Sequence, residues 1–151
     1  MGKSNEAVAS MFIKLVWQKK HFNLLGQYVT NDFQYHTTFN ERVLNLDEYI
    51  EYVKVFHEAI PDLELTIEDV LVKGDKAVVH SIIIGTITKP FFGIEPSGKL
   101  LSFSAMSTME LEHGKIKVLD TLTDMAGVQR QIETPIANDY PIEPYIKKKT
   151  T

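Results

Sequence analysis

The chain contains no cysteine, which excludes disulfides, thiol nucleophiles and cysteine-ligated zinc at once. Arginine is nearly as scarce, with Arg42 and Arg130 the only two. The net charge is −4 at pH 7 and the isoelectric point about 5.7, so the basic face that a nucleic-acid binder needs is missing. The short terminal run Lys147-Lys148-Lys149 reads as a solvated tail. No apolar run is long enough to span a bilayer, so no membrane partner is expected. Glu6 and Lys14 interrupt the N-terminal segment where a secretory signal needs an unbroken apolar core, and the expected setting is the cytoplasm. There is no HExxH or HxH pair, no GxSxG and no glycine-rich phosphate loop, so neither a metal nor any other cofactor is expected.

What remains is a chain of 151 residues, 44% of them hydrophobic, enough for one self-sufficient core. Val8, Met11, Phe12, Leu15 and Val16 recur at helical spacing over residues 6–20, and a shorter helix is expected over Phe22 to Tyr28. The alternation in "FQYHTTF" (Phe33–Phe39) predicts a strand. "NLDE" (Asn45–Glu48) has the form of a capping box opening a helix whose stripe is Ile50, Val53, Phe56 and Ile60, with Pro61 marking its end. From Leu63 the period becomes two. "LELTIEDVLV" slips near Asp69, where a bulge is expected, and "KAVVHSIIIGTI" is apolar on both faces. In "LLSFSAMSTMEL", Leu101, Phe103, Ala105, Met109 and Leu111 fall on one side. A final strand, "KIKVLDTLTD", runs into a short helix, "MAGVQRQI". Helices followed by hairpin-linked strands imply an α+β fold, with helices on one face of a curved antiparallel sheet. The other apolar sheet surface then needs cover, and a homodimer or higher homo-oligomer is the expected partner arrangement. The domain is placed at residues 1–132. The proline-rich segment 133–151 reads as an arm or tail.

Two features suggest chemistry. With strict alternation, Ile116, Val118, Asp120, Leu122 and Asp124 share one face of the last strand, and carboxylates on an apolar face are costly unless they serve a purpose. Four residues apart, the two acids stand about 13 Å from each other at roughly 3.3 Å per residue. That is too far for a shared-proton dyad or a retaining glycosidase pair, so either would act without the other. Asp124 could equally cap the helix that begins at Met125, and for Asp120 a structural role is favoured. The second feature is "FFGIEPSGKLLSF" (Phe91–Phe103), which puts Phe91 and Phe92 at a turn, either plugging the end of a sheet or rimming a pocket. Among the histidines, His36 could face a cavity, His57 reads as exposed and His80 as a core residue. Trp17 reads as core more than as ligand platform.

Taken together, "FHEAIPDLELTIEDVLVKGDKAVVHSIIIGT", "FFGIEPSGKLLSF" and "ELEHGKIKVLDTLTDMAGVQRQI" resemble the SnoaL-like polyketide cyclases, or predicted ester cyclases, of the nuclear transport factor 2-like superfamily. The resemblance runs from about Ala7 to Ile132. It implies a cone, a curved antiparallel sheet wrapped by helices around an apolar pocket. It also implies cofactor-free ring closure by intramolecular aldol condensation, with an aspartate at the position of Asp124 as general acid/base. Ile87 stands where many members have a histidine, and Leu119 where many have a tryptophan. On this reading Asp124 and His36 are the candidate catalytic residues. Trp17, Tyr35, Phe91, Phe92 and Asp120 are the candidate substrate contacts, and the ligand is a small apolar or aromatic carbonyl molecule. His36 or Tyr35 would hydrogen-bond the developing enolate. The rivals are a non-enzymatic ligand-binding or dimerisation module and a ketosteroid-isomerase-like isomerase. An epoxide hydrolase ranks last, because it would want an Asp–Arg–Asp arrangement and neither arginine lies mid-strand.

Overall fold

The computed structural model describes residues 4–37 and 42–133. The tail expected after residue 132 lies, beyond Glu133, outside the described residues, as does the predicted strand end at Phe39. Helix α1 (Asn5–Ile13) starts where the Ser4 side chain accepts from the Ala7 amide. The expected single helix over 6–20 instead loosens into a π-helical turn at Lys14–Gln18, followed by a 3-10 segment at Phe22–Gln27. Helix α2 (Leu46–Ala59) carries the capping box read from the sequence. The Glu48 amide donates to Asn45 Oδ1 at 2.9 Å, and the Asn45 amide to Glu48 Oε1 at 3.0 Å.

The strands are β1 (Val29–His36), β2 (Val43–Leu44), β3 (Glu64–Lys73), β4 (Lys76–Thr86), β5 (Leu100–Glu112) and β6 (Lys115–Thr123), and the last helix is α3 (Met125–Glu133). They form one curved six-stranded sheet in the order β2-β1-β6-β5-β4-β3. All neighbours are antiparallel except β1 and β6, which run parallel. That parallel pair corrects the all-antiparallel expectation. Helices α1 and α2 cover the concave face, where Phe12, Phe33, Tyr35 and Tyr49 pack ring against ring with centroids 4.6–6.2 Å apart. Gly85 is required where α2 hands over to β3, since a Cβ there would run into the Ile60 side chain. Asp62 Oδ1 pins the same corner by accepting from the Thr86 amide at 2.8 Å.

Two bulges decide which side chains see the interior. The one expected near Asp69 is present: Ile67 pairs with Ser81 and Asp69 with His80, leaving Glu68 as the extra residue. A second was not expected. Leu111 pairs with Ile116 but Glu110 with Val118, so Lys117 is extra in β6. Strict alternation therefore fails at Lys117, and Ile116 and Leu119 both point into the core with no exposed surface. The face assignment from the sequence is corrected accordingly. Leu119, Thr121 and Thr123 lie on the inner side, opposite Met109, Ser107 and Ala105. Val118, Asp120 and Leu122 lie on the outer side. Strand β4 is also less symmetric than its composition implies: Ala77, Val79, Ser81 and Ile83 are buried, while Val78, His80 and Ile82 are half-buried and Ile84 is exposed. Among the described residues no helix is long and apolar enough to cross a membrane.

Candidate functional site

Two of the spaces among the described residues share a wall. The inner one is lined by Trp17, Tyr35, Tyr52, Ser107, Thr121 and other side chains, and its volume is only about 20 Å³. The outer one is a groove of about 890 Å³, within the usual range for small-molecule sites, bordered by His80, Phe92, Ile94, Met106, Asp124 and Met125 among others. Ala105 and Thr123 line both.

The interior is apolar but crossed by hydroxyl groups. Tyr52 hydrogen-bonds Tyr35, and Tyr35 hydrogen-bonds Thr121. Thr121 Oγ1 lies 3.3 Å from Ser107 Oγ, and Ser81 is buried in the same wall. Tyr35 is 3% exposed, and burial pushes its phenol up from the ordinary value against the opposing pull of those hydrogen bonds. Burial likewise pushes Tyr52 up, and Tyr49, fully enclosed behind it, well above the ordinary range. Each of these tyrosines thus remains a neutral phenol and a hydrogen-bond donor in the interior. Tyr52, Ser81, Ser107 and Thr121 are missing from the sequence-derived candidates. A signal for two of them was present: Ser107 sits on the apolar side of β5, and Tyr49 and Tyr52 lie one helical turn apart on α2.

Asp124 is not enclosed, which corrects the expected apolar pocket around it. It is exposed at the strand–helix junction, where its Oδ1 accepts from the Gly127 amide at 2.9 Å and caps α3. Gly127 is needed here, because a Cβ would collide with the Asp124 carboxylate. Oδ2 takes no hydrogen bond among the described residues, and Asp124 is one of the residues bordering the groove. His36 and Asp120 are brought together, with His36 Nδ1 2.9 Å from Asp120 Oδ1, because they are direct partners on the parallel strands β1 and β6. That pair is on the outer face of the sheet, 43% and 50% exposed. Neither residue lines the interior or the groove beside Asp124. His36 does face a cavity, a separate outer-face groove of about 440 Å³ that Asp120, Val78 and Glu110 also border, but not the one beside Asp124 where it was expected to hold an enolate. Asp120's shared face with Ile116 is corrected by the bulge at Lys117.

Phe91 and Phe92 divide the two readings of their turn. Phe91 is buried, edge-on to Phe56 at 5.3 Å, and acts as a plug. Phe92 borders the groove and packs at a tilt on Tyr52 at 5.3 Å and on Phe56 at 5.2 Å. The turn closes through paired hydrogen bonds between Phe91 and Ile94, with Phe92 at φ +49° and Gly93 at φ +78°. A left-handed phenylalanine costs about 1–2 kcal/mol.

Trp17 lines the interior and packs edge-on against Phe56 at 5.5 Å. It is held from behind by His57, which is half-buried rather than exposed as expected, with ring centroids 5.3 Å apart. His57 Nε2 lies 3.1 Å from the Val16 carbonyl. A carbonyl only accepts, so Nε2 carries the proton and the buried Nδ1 has no partner among the described residues. Burial pulls the His57 imidazole below its ordinary value. His80 borders the open groove, correcting its reading as a core residue. Among the described residues no group of three or more potential ligands could hold a metal.

The sequence model of the family described as SnoaL-like polyketide cyclase matches residues 7–132. No curated protein matches the chain significantly. Among solved structures, one from Jannaschia sp. CCS1, assigned as a SnoaL-like polyketide cyclase, is 22% identical with a TM-score of 0.74, covering 90% of this chain and 99% of its own. IdmH from Streptomyces antibioticus, assigned as a polyketide cyclase, is 15% identical with a TM-score of 0.77 over 87% and 100%. A structure from Bacillus cereus ATCC 10987 with the same assignment is 26% identical, TM-score 0.67, over 83% and 77%. At 15% and 22% identity, the likeness shows the fold.

The raised phenols give a direct check. In a spectrophotometric titration, Tyr35, Tyr49 and Tyr52 should remain un-ionised as the pH passes the ordinary phenol value of about 10. Because their folded values lie above the unfolded ones, the stability they contribute is full below pH 10 and is lost as the pH rises further. Their ionisation should therefore coincide with loss of near-ultraviolet circular dichroism.

Proposed function

Because the chain belongs to the SnoaL-like polyketide cyclase family, we propose that it is a cofactor-free cyclase or lyase acting on a small apolar or aromatic carbonyl compound or ester, with Asp124 as acid/base. The observation that carries this reading is the position of Asp124. One oxygen is held by the helix it caps. The other takes no hydrogen bond among the described residues, and Asp124 borders a groove of mixed polarity that meets the hydroxyl-lined interior at the neighbouring residue, Thr123. A carbonyl oxygen directed inward would take a hydrogen bond from the Tyr35 hydroxyl, while the acidic C–H beside it faces the Asp124 carboxylate. Asp124 takes that proton, and the enolate carbon forms a bond to a second carbonyl carbon of the same molecule. The alkoxide so made recovers the proton from Asp124. No atom is gained or lost, and neutral phenols stabilise the charge that develops on oxygen.

The second reading, a ligand-binding module without turnover, is favoured by one observation. The interior holds only about 20 Å³, and no carboxylate lines it. The two readings separate at Asp124. Asparagine caps a helix about as well as aspartate, so Asp124→Asn should melt within a degree or two of the parent. Turnover of hydroxylated aromatic esters should fall by about 10²–10⁴. Equal turnover in the two proteins would remove Asp124 from the mechanism, and binding without turnover in both would favour the module.

The outer sheet face supports a homodimer as the assembly. Leu71 and Ile84 are exposed there at 66% and 38%, forming an apolar strip with the half-buried Val78 and Ile82 beside the groove. A second copy would bury this strip on a two-fold axis. Sedimentation at tens of micromolar should give twice the 17.2 kDa chain mass; a monomer at that concentration would defeat the assembly.

A further inference from the structure

We propose that Phe92 is the specificity-determining gate between the two spaces, controlling which ligands reach the hydroxyl chain. This rests on the reading that the interior receives the carbonyl end of the ligand. Four observations converge on it. Phe92 borders the groove with Gly93 and Ile94 of its turn, and of these it is the one whose ring packs on Tyr52 and Phe56, which line the interior. The spaces already share Ala105 and Thr123 as walls. The interior as it stands is too small for any organic ligand.

The fourth observation is the backbone. Phe92 and Gly93 are both left-handed, in a turn whose hydrogen bonds run between Phe91 and Ile94. Asparagine suits the first of these positions far better than phenylalanine. An aromatic residue held there against its backbone preference indicates that the ring itself has a role. Phe91, beside it, is buried and anchors the turn, so the Phe92 ring can swing without moving the loop. Displacing the ring would open a space against the Tyr52 and Phe56 rings, toward the Ser107 and Thr121 hydroxyls of the interior. The ligand that fits is a planar, apolar ring system carrying one oxygen. Opening the gate is a cost to binding, so a closed resting state lowers apparent affinity by the fraction of time it is open.

The test uses 2-naphthol as the probe, the full-length protein, and Phe92→Asn with Phe92→Gly as a second variant, both tolerant of the left-handed backbone. Trp17 is the only tryptophan and lines the interior, so its single indole N–H signal in a ¹H–¹⁵N spectrum reports arrival there. At saturation that signal should shift in parent and variants alike, and the variants should bind about tenfold more tightly. Equal affinities, or weaker binding in the variants, would overturn the gate, the latter making Phe92 an ordinary ligand contact. An indole signal unmoved at saturation in all three proteins would overturn it too. Because 2-naphthol does not react, these outcomes are independent of whether Asp124 transfers protons.

Discussion

One extra residue in the last strand, Lys117, sets the chemistry of the whole interior. Were Lys117 paired in register instead of bulged, β6 would keep strict alternation from Ile116, and Asp120 and Leu122 would turn inward while Leu119 and Thr121 turned out. A carboxylate would then sit against Met109 and Ser107 in the core, at the several-kcal/mol cost of desolvating an unpaired charge. With the bulge, the inner wall receives Thr121 and Thr123, and the carboxylate is sent outward to meet His36. The bulge also lets Ile116 and Leu119 both remain core residues. This one register shift makes the contribution of β6 to the interior two threonine hydroxyls rather than a carboxylate.

A hydroxyl-lined, acid-free interior constrains what the molecule can do. Neutral phenols donate hydrogen bonds to a developing oxyanion but are poor proton acceptors, so a base must come from elsewhere. The chain supplies one carboxylate where groove and interior meet, and the same carboxylate starts α3. Gly127 leaves room for it. Helix capping thereby fixes the position of a chemically useful group at no additional conformational cost. Trp17 is positioned through a comparable dual arrangement: the π-helical turn carries it, and His57, held on the Val16 carbonyl, backs its ring.

The sequence was most legible where local chemistry is explicit. The capping box at Asn45 and Glu48, the bulge near Asp69 and the inward set from Leu101 to Leu111 can all be read from residue order and are present in the structure. The π-helical turn within the first helix was hidden, because its residues suit an α-helix equally well. The parallel pairing of β1 with β6 is a long-range contact that no local pattern announces. The bulge at Lys117 was the costliest omission. Nothing in "KIKVLDTLT" marks it, since Lys117 is an ordinary strand residue, and yet it reverses the face of every later side chain in the strand. His36 and Asp120 were picked out separately for an inward role, and the structure joins them on the outside. Tyr52 lies off the stripe Ile50, Val53, Phe56 and Ile60, so helical spacing gives it no inward role.

The account turns on a ligand whose oxygen reaches Tyr35 while its reacting carbon faces Asp124. The most direct measurement is a crystal structure of the protein soaked with a panel of hydroxylated aromatic esters. The account predicts ligand density in the groove, continuing past a displaced Phe92, with a carbonyl oxygen within hydrogen-bond distance of the Tyr35 hydroxyl and the Asp124 carboxylate against the adjacent carbon. Ligand bound instead at the outer-face His36–Asp120 pair, with the interior still closed, would contradict it.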